Sequence, residues 1–201
     1  PIKSSAASDV YKRQNQHDAD GLLGVVEGVI KGKESHIQPL GICKKLVDAD
    51  ARMAGAPFSV VANSGSGNQG MTASLPVVEY ARGRGASREE LLRALAVADL
   101  ITIHQKTSIG RLSAFCGAVS AGSGAAAGIA YLEGGRYEVI AHTIANALAI
   151  CSGMICDGAK PSCAAKIASA VDAGLMGYQM YVHGHQFICL LYTSDAADDL
   201  I

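Results

Sequence analysis

Apolar side chains recur through the middle of the chain at spacings of three and four, the period that lays them along one face of an α-helix. Leu91, Leu92, Leu95, Ala98 and Ile101 form such a face. The string Ser87-Arg88-Glu89-Glu90 ahead of them is a Ser-x-x-Glu capping box, which predicts a helix running to about Lys106. A second helix is predicted to follow directly, from Ile109 through Leu132. Glu133-Gly134-Gly135 reads as a turn, after which Tyr137, Ile140, Ile144, Leu148 and Cys151 repeat at helical spacing toward a stop at Asp157-Gly158. Pro161 suits a first helical position, so a last helix is predicted over 161–182. Residues 18–30, 40–53 and 71–82 read as three more helices, and Phe58-Ser59-Val60-Val61 as a short strand. The expected class is all-α: a compact bundle of about seven helices with a glycine-rich loop and at most one short strand.

Composition sharpens that picture. The chain has 201 residues, 49% of them hydrophobic but only 5% aromatic, with 23 glycines and no tryptophan. Helices this rich in small residues can bring their backbones close together. The formal net charge is −1, with 17 basic against 18 acidic side chains, so no basic face is available for nucleic acid. The longest weakly polar stretch, Ala114 to Leu132, is interrupted by Ser120, Ser123 and four glycines. It falls short of the roughly 20 apolar residues of a spanning helix and reads as a buried core helix. Six cysteines, irregularly spaced and with no secretory signal ahead of them, suit a reducing cytoplasm better than a disulfide scaffold.

The two ends differ from the middle. Residues 1–14 and 189–201 lack helical or strand periodicity and resemble translated sequencing-adapter ends, so both are expected to be non-native tails. Residues 15–188 would then form one helical domain, a piece of a longer protein.

Several polar groups are candidates for chemistry. Cys116 precedes Gly117, while Cys156 and Cys163 bracket the loop Asp157-Gly158-Ala159-Lys160-Pro161-Ser162. Cys163 near a helix start would feel the positive end of the helix dipole, which favours thiolate, the ligating form. Three cysteines without a Cys-x-x-Cys pair are equally readable as ordinary buried thiols. The stretch Asn63-Ser64-Gly65-Ser66-Gly67-Asn68-Gln69-Gly70 precedes a predicted helix start, where free backbone N–H groups hold a carboxylate well. Its alternative is a capped connector. Arg111 suits a substrate carboxylate or a structural ion pair, and Arg52 and Lys106 share that ambiguity. His183 and His185, two positions apart, do not share a helix face and read as solvated.

The strings Asp50-Ala51-Arg52-Met53-Ala54-Gly55, Asn63 to Gly70, Gly110-Arg111-Leu112-Ser113-Ala114-Phe115-Cys116-Gly117 and Ser152-Gly153-Met154-Ile155-Cys156-Asp157-Gly158-Ala159-Lys160, in that order, closely resemble the L-cysteine desulfidase family. That family is related to the alpha chain of iron–sulfur L-serine dehydratases. The resemblance runs from about Asn15 to Phe187. It implies a [4Fe-4S] cluster held by Cys116, Cys156 and Cys163, one iron being left open to act as a Lewis acid. It also implies substrate binding by Asn63, Ser64, Gly65, Ser66, Gly67, Asn68 and Arg111. Cys43, Cys151 and Cys189 have no counterpart in that scheme.

The implied reaction converts L-cysteine to pyruvate, ammonia and hydrogen sulfide. Dehydration of L-serine is the alternative, although serine dehydratases carry a longer insert between their last two cluster cysteines than the one between Cys156 and Cys163. A non-catalytic helical module with structural zinc or no metal is the alternative of another kind. Family members carry an upstream Gly-Cys-Thr-Glu-Pro-like segment, whose cysteine is a candidate acid–base group. Nothing here matches it. The catalytic residue is therefore unknown and the fragment is expected to be inactive; activity of the fragment alone would make Lys106, His104 or Lys160 the leading suspects. The partners expected are a small amino acid and, through uncovered helix faces, a second copy of the chain, with neither nucleic acid nor membrane.

Overall fold

The structure is a computed structural model that describes residues 49, 51–57, 59–110 and 113–187. Five long helices follow one another: α1 (Gly67–Arg84), α2 (Arg88–Ile109), α3 (Gly117–Leu132), α4 (Tyr137–Ile150) and α5 (Ser162–Val182). Residues 51–53 are also helical and coincide with the end of the helix predicted over 40–53. No sheet is present among the described residues, and the all-α expectation holds. The helix predicted over 18–30 lies outside the described residues, as do Cys43, Arg111, Cys189 and both proposed tails.

The architecture is organised around α3. This helix packs against all four of the others, and nearly every residue from Ala118 to Leu132 is buried. Glycine makes the crowding feasible. A Cβ added at Gly122 would lie 2.6 Å from the Ala170 carbonyl carbon, one at Gly124 2.3 Å from Thr102 Oγ1, and one at Gly128 2.8 Å from Ala94 O. Helices α2 and α5 therefore approach α3 to backbone contact, while α1 packs the Val77 side chain against Gly128. The apolar core is correspondingly small-grained: Val77, Ala94, Ala98, Ala125, Ile129 and Ile167 are all essentially inaccessible.

Local chemistry explains where the elements stop. The capping box forms as expected, the Ser87 hydroxyl accepting from Glu90 N–H while the Glu90 carboxylate accepts from Ser87 N–H. Helix α2 extends to Ile109, three residues past its predicted end, and is closed by Gly110 at φ 82°. The continuous helix expected from Ile109 to Leu132 is thus two features. Gly110 breaks the path, Ser113 Oγ accepts from Phe115 N–H, and helix resumes only after Cys116, which is extended at φ −67°, ψ 120°.

Three other boundaries also move. Helix α4 ends at Ile150 with Cys151 as its C-cap. Gly158 does adopt a positive φ of 93°, but it lies beyond an extended segment and caps no helix. Pro161 is the N-cap of α5 rather than its first residue. Helix α1 starts at Gly67, four residues ahead of the predicted start at Met71, because Ser66 caps it by accepting from Gln69 N–H. The short strand does not form. Phe58 lies outside the described residues, and 59–61 pair with no strand, Val61 being 87% exposed. Among the described residues no helix is long and apolar enough to cross a membrane.

The close approach at α3 is directly testable. Gly124→Ala should destabilise the chain by about 1–3 kcal/mol, the usual cost of overpacking. Gly83→Ala, a helical position with nothing within 4 Å of the added carbon, should instead stabilise by about 0.5–1 kcal/mol. Denaturant midpoints of the two variants should move in opposite directions from that of the parent chain.

Candidate functional site

The break between α2 and α3 has a partner. Residues 114–116 lie antiparallel to residues 154–156, Cys116 N–H donating to Met154 O at 3.1 Å and Cys156 N–H to Ala114 O at 2.7 Å. Phe115 and Ile155 form the bridge pair. Extended backbone alternates its side chains, so Phe115 and Ile155 share one side and Cys116 and Cys156 the other. The two apolar side chains are exposed. Cys156 is the diagonal neighbour of Cys116, a relation that sets Cα atoms about 7–8 Å apart and Cβ atoms somewhat closer.

Cys163 arrives from a third direction, on the first turn of α5. Its thiol donates to Gly158 O at 3.5 Å. The intervening loop is tied to the helix by Asp157, which accepts from Ser162 Oγ at 3.3 Å and pairs with Lys166. Lys166 also donates to Ile155 O at 3.0 Å. The ion pair holds the Asp157 carboxyl below its usual range and the Lys166 ammonium above its own.

Cys116, Cys156 and Cys163 line one cavity of about 250 Å³. Burial pushes the Cys116 thiol up, the Ala118 N–H partly opposes that, and the nearby sulfurs of Cys156 and Cys163 push it further. Three helix N-termini reach the same cavity: Ser66 and Asn68 at the start of α1, Gly117 and Ala118 at the start of α3, and Cys163 at the start of α5. Helix α3 has no side-chain cap, which leaves the Gly117 and Ala118 N–H groups at the cavity, whereas the Cys163 and Ala164 N–H groups of α5 donate to Lys160 O and Pro161 O and α5 contributes only its positive dipole end. Lys106, only 5% exposed, lines the cavity as well, and its ammonium makes no ion pair and no side-chain hydrogen bond among the described residues.

Among the described residues no three His, Cys, Asp or Glu side chains close around a point that would hold a single metal ion. Cys116 and Cys156, at diagonal positions, and Cys163, from the start of α5, are the three residues at this cavity that could hold a metal group. Cysteine sulfur is the soft donor that an iron–sulfur group takes, once the thiols are deprotonated on binding.

The residues singled out in the glycine-rich stretch divide. Asn63 and Ser66 exchange both backbone hydrogen bonds at 3.1 Å across a two-residue turn, in which Ser64 has φ 51° and Gly65 φ 84°. Positive φ at both positions is the hairpin geometry that glycine tolerates without cost. Asn63 Nδ2 donates to Asp99 Oδ1 at 2.8 Å, so that side chain anchors the turn to α2 and does not line the cavity. Ser64 and Gly65 form its tip, and Gly67 packs against Val60 and Arg52. Ser66 and Asn68 do line the cavity. Asn68 is oriented by Arg52, which donates to its Oδ1 at 2.8 Å, giving Arg52 a positioning role.

The remaining candidates lie elsewhere. His183 and His185 are exposed at the far end of α5. Cys151 and His104 line a second, largely apolar cavity of about 460 Å³ that adjoins the first at Phe115 and Cys116 but is not reached by Cys156 or Cys163; burial and Asp172 push the Cys151 thiol up. Two polar side chains of the cavity, Ser113 and Gln69, carry no assignment from the sequence. Ser113 follows the pair outside the described residues, and Gln69, inside the quoted glycine-rich string, reads there as one more helix-start polar residue.

A family model described as the serine dehydratase alpha chain matches residues 6–198. The chain is 66% identical over 139 residues to a UPF0597 protein of Desulfitobacterium hafniense, covering 69% of this chain and 32% of that protein. A UPF0597 protein of Treponema denticola is 55% identical over 139 residues, covering 69% of this chain and 32% of its own length. A UPF0597 protein of Finegoldia magna is 48% identical over 168 residues, with 83% and 40% covered. The chain thus spans about a third to two fifths of the length of these curated relatives, whose names state no activity. No solved structure matches the chain.

The diagonal pairing predicts chemical proximity. In metal-free chain with Cys43, Cys151, Cys163 and Cys189 replaced by serine, a short bifunctional thiol reagent should bridge Cys116 to Cys156 within one molecule. Mass spectrometry should find the linked peptides under native conditions. After denaturation the yield should fall to that of a random pair.

Proposed function

We propose, on the premise that the chain belongs to the serine dehydratase alpha chain family, that its parent protein is a [4Fe-4S]-dependent lyase degrading L-cysteine, of which this chain carries the cluster-binding part. L-Cysteine and water give pyruvate, ammonia and hydrogen sulfide. The observation that carries the reading is the arrival of Cys116, Cys156 and Cys163 at one cavity from three separate chain segments. The exposed Cys156 and half-buried Cys163 face a space open to a small substrate, in the manner of ligands that leave one metal position accessible. When bound, the cluster would supply an open iron acting as a Lewis acid toward the substrate.

The chain's own groups supply binding and orientation. The uncapped N–H groups at the start of α3 and the Lys106 ammonium hold the carboxylate, and Ser66 and Asn68 fix its position. Asn63, Ser64, Gly65 and Gly67 shape the turn that presents them, and Arg111 is assigned as a second carboxylate partner. Eliminating a β-substituent also requires a base at the α-proton, and that group is left unassigned. Thiolate ligands and an oxygen-sensitive cluster suit a reducing, cytoplasmic compartment.

Dehydration of L-serine is the second reading, favoured by the description of the matching family. The two reactions share pyruvate and ammonia and differ in the leaving group. In the full-length protein prepared without oxygen, L-cysteine should give sulfide and pyruvate in equal amounts, at a kcat/KM at least tenfold above that for L-serine. Pyruvate from L-serine alone would assign the dehydratase. Turnover of neither amino acid would defeat both.

A further inference from the structure

Gln69 is out of place as an ordinary structural residue. It occupies the first turn of α1, is 8% exposed and lines the cysteine cavity. Its Oε1 is fully enclosed and has no hydrogen-bond partner among the described residues. An unmet buried acceptor costs about 1–3 kcal/mol, so an amide that only filled space would be replaceable by an apolar side chain at a gain. The surroundings nevertheless keep room for it: a Cβ at Gly117 would lie 2.4 Å from both Gln69 Cδ and Nε2. The carboxamide therefore lies flat across the start of α3, beside Cys116, where any residue larger than glycine at 117 would displace it.

What the cavity lacks is a donor for that oxygen. Its other polar features favour anions: the helix N-termini, and Lys106 at 5% exposure. An α-amino acid brings both signs. Its carboxylate matches the N–H groups and Lys106, and its ammonium needs an acceptor close by. Gln69 offers a buried acceptor carrying no charge of its own, which does not cancel the positive field that holds the carboxylate. The terminal torsion of glutamine is broad and two-fold, and half a turn about it exchanges the enclosed Oε1 with Nε2 and presents Oε1 to the cavity.

We propose that Gln69 is the residue that recognises the substrate's α-ammonium group, and that Gly117 holds its carboxamide in place. This rests on the lyase reading for the identity of the substrate class, but not on which leaving group is expelled. It makes Gln69 a specificity-determining residue: amino acids bind, and the corresponding acids without an amino group do not.

The test uses binding rather than turnover. Full-length protein with its cluster is titrated calorimetrically with L-alanine, which cannot undergo β-elimination, and with propionate, which differs from it only in lacking the ammonium. The parent protein should prefer L-alanine by roughly 10- to 100-fold, the range for a hydrogen bond to a charged group. Gln69→Leu should bring that preference down to about threefold or less while leaving propionate affinity and cluster absorbance unchanged. Gln69→Glu, which keeps an acceptor, should retain the preference, and Gly117→Ala should weaken it with Gln69 intact. The proposal is overturned if the parent binds both ligands alike, if Gln69→Leu keeps the full preference, or if that variant loses both ligands equally. Because the readout needs no turnover, a protein inactive on cysteine and serine that still shows a Gln69-dependent preference would defeat the lyase reading and leave this one standing.

Discussion

The close approach of helix backbones to α3 is the constraint on which the site depends. Gly122, Gly124 and Gly128 leave no room for a Cβ between α3 and its neighbours, so the position of α3 is fixed by backbone contact. Interiors packed to this density do not deform continuously. The N-terminus of α3 is therefore a rigid point, and it carries Cys116. Helices α1 and α5 pack on the same helix and bring their own N-termini to the same end. Convergence of three positive helix ends is thus a consequence of packing, and it creates the environment that anionic groups need.

That environment accounts for the mixture of residues around the cavity. Thiolates, a bound carboxylate and a cluster of net negative charge would repel one another in a neutral pocket. Here the uncapped helix starts, Lys106 and the nearby Lys166 offset that repulsion. The effect of Lys166 is visible even without a bound group, since it draws the Cys116 thiol downward while burial and the neighbouring sulfurs raise it. The Phe115–Ile155 bridge adds what helices alone do not provide, a fixed diagonal spacing between Cys116 and Cys156.

Much of the framework was legible in the sequence because it rests on local rules. The capping box at Ser87, the turn at Glu133-Gly134-Gly135 and the buried character of the Ala- and Gly-rich helix depend only on neighbouring residues. The errors cluster at the site. From Ala114 to Leu132 the pattern is weakly polar and rich in small residues, so periodicity gives no warning that residues 114–116 leave the helix to pair with 154–156, some 40 positions away. The same long-range pairing ended α4 early, and only motif resemblance linked Cys116 to Cys156. Gln69 escaped notice because its burial and its unmet acceptor arise from contact with Gly117, a tertiary fact. Ser66 capping α1 likewise turned half of an expected loop into helix.

The central claim is that Cys116, Cys156 and Cys163 together hold one iron–sulfur cluster. Iron and acid-labile sulfide content, with visible absorbance, measured on anaerobically purified full-length protein and on single cysteine-to-serine variants, tests it most directly. The account predicts about four iron and four sulfide per chain in the parent protein, retained in Cys151→Ser and lost or severely reduced in Cys116→Ser, Cys156→Ser and Cys163→Ser. Zinc in place of iron, or cluster content indifferent to those three substitutions, would contradict it.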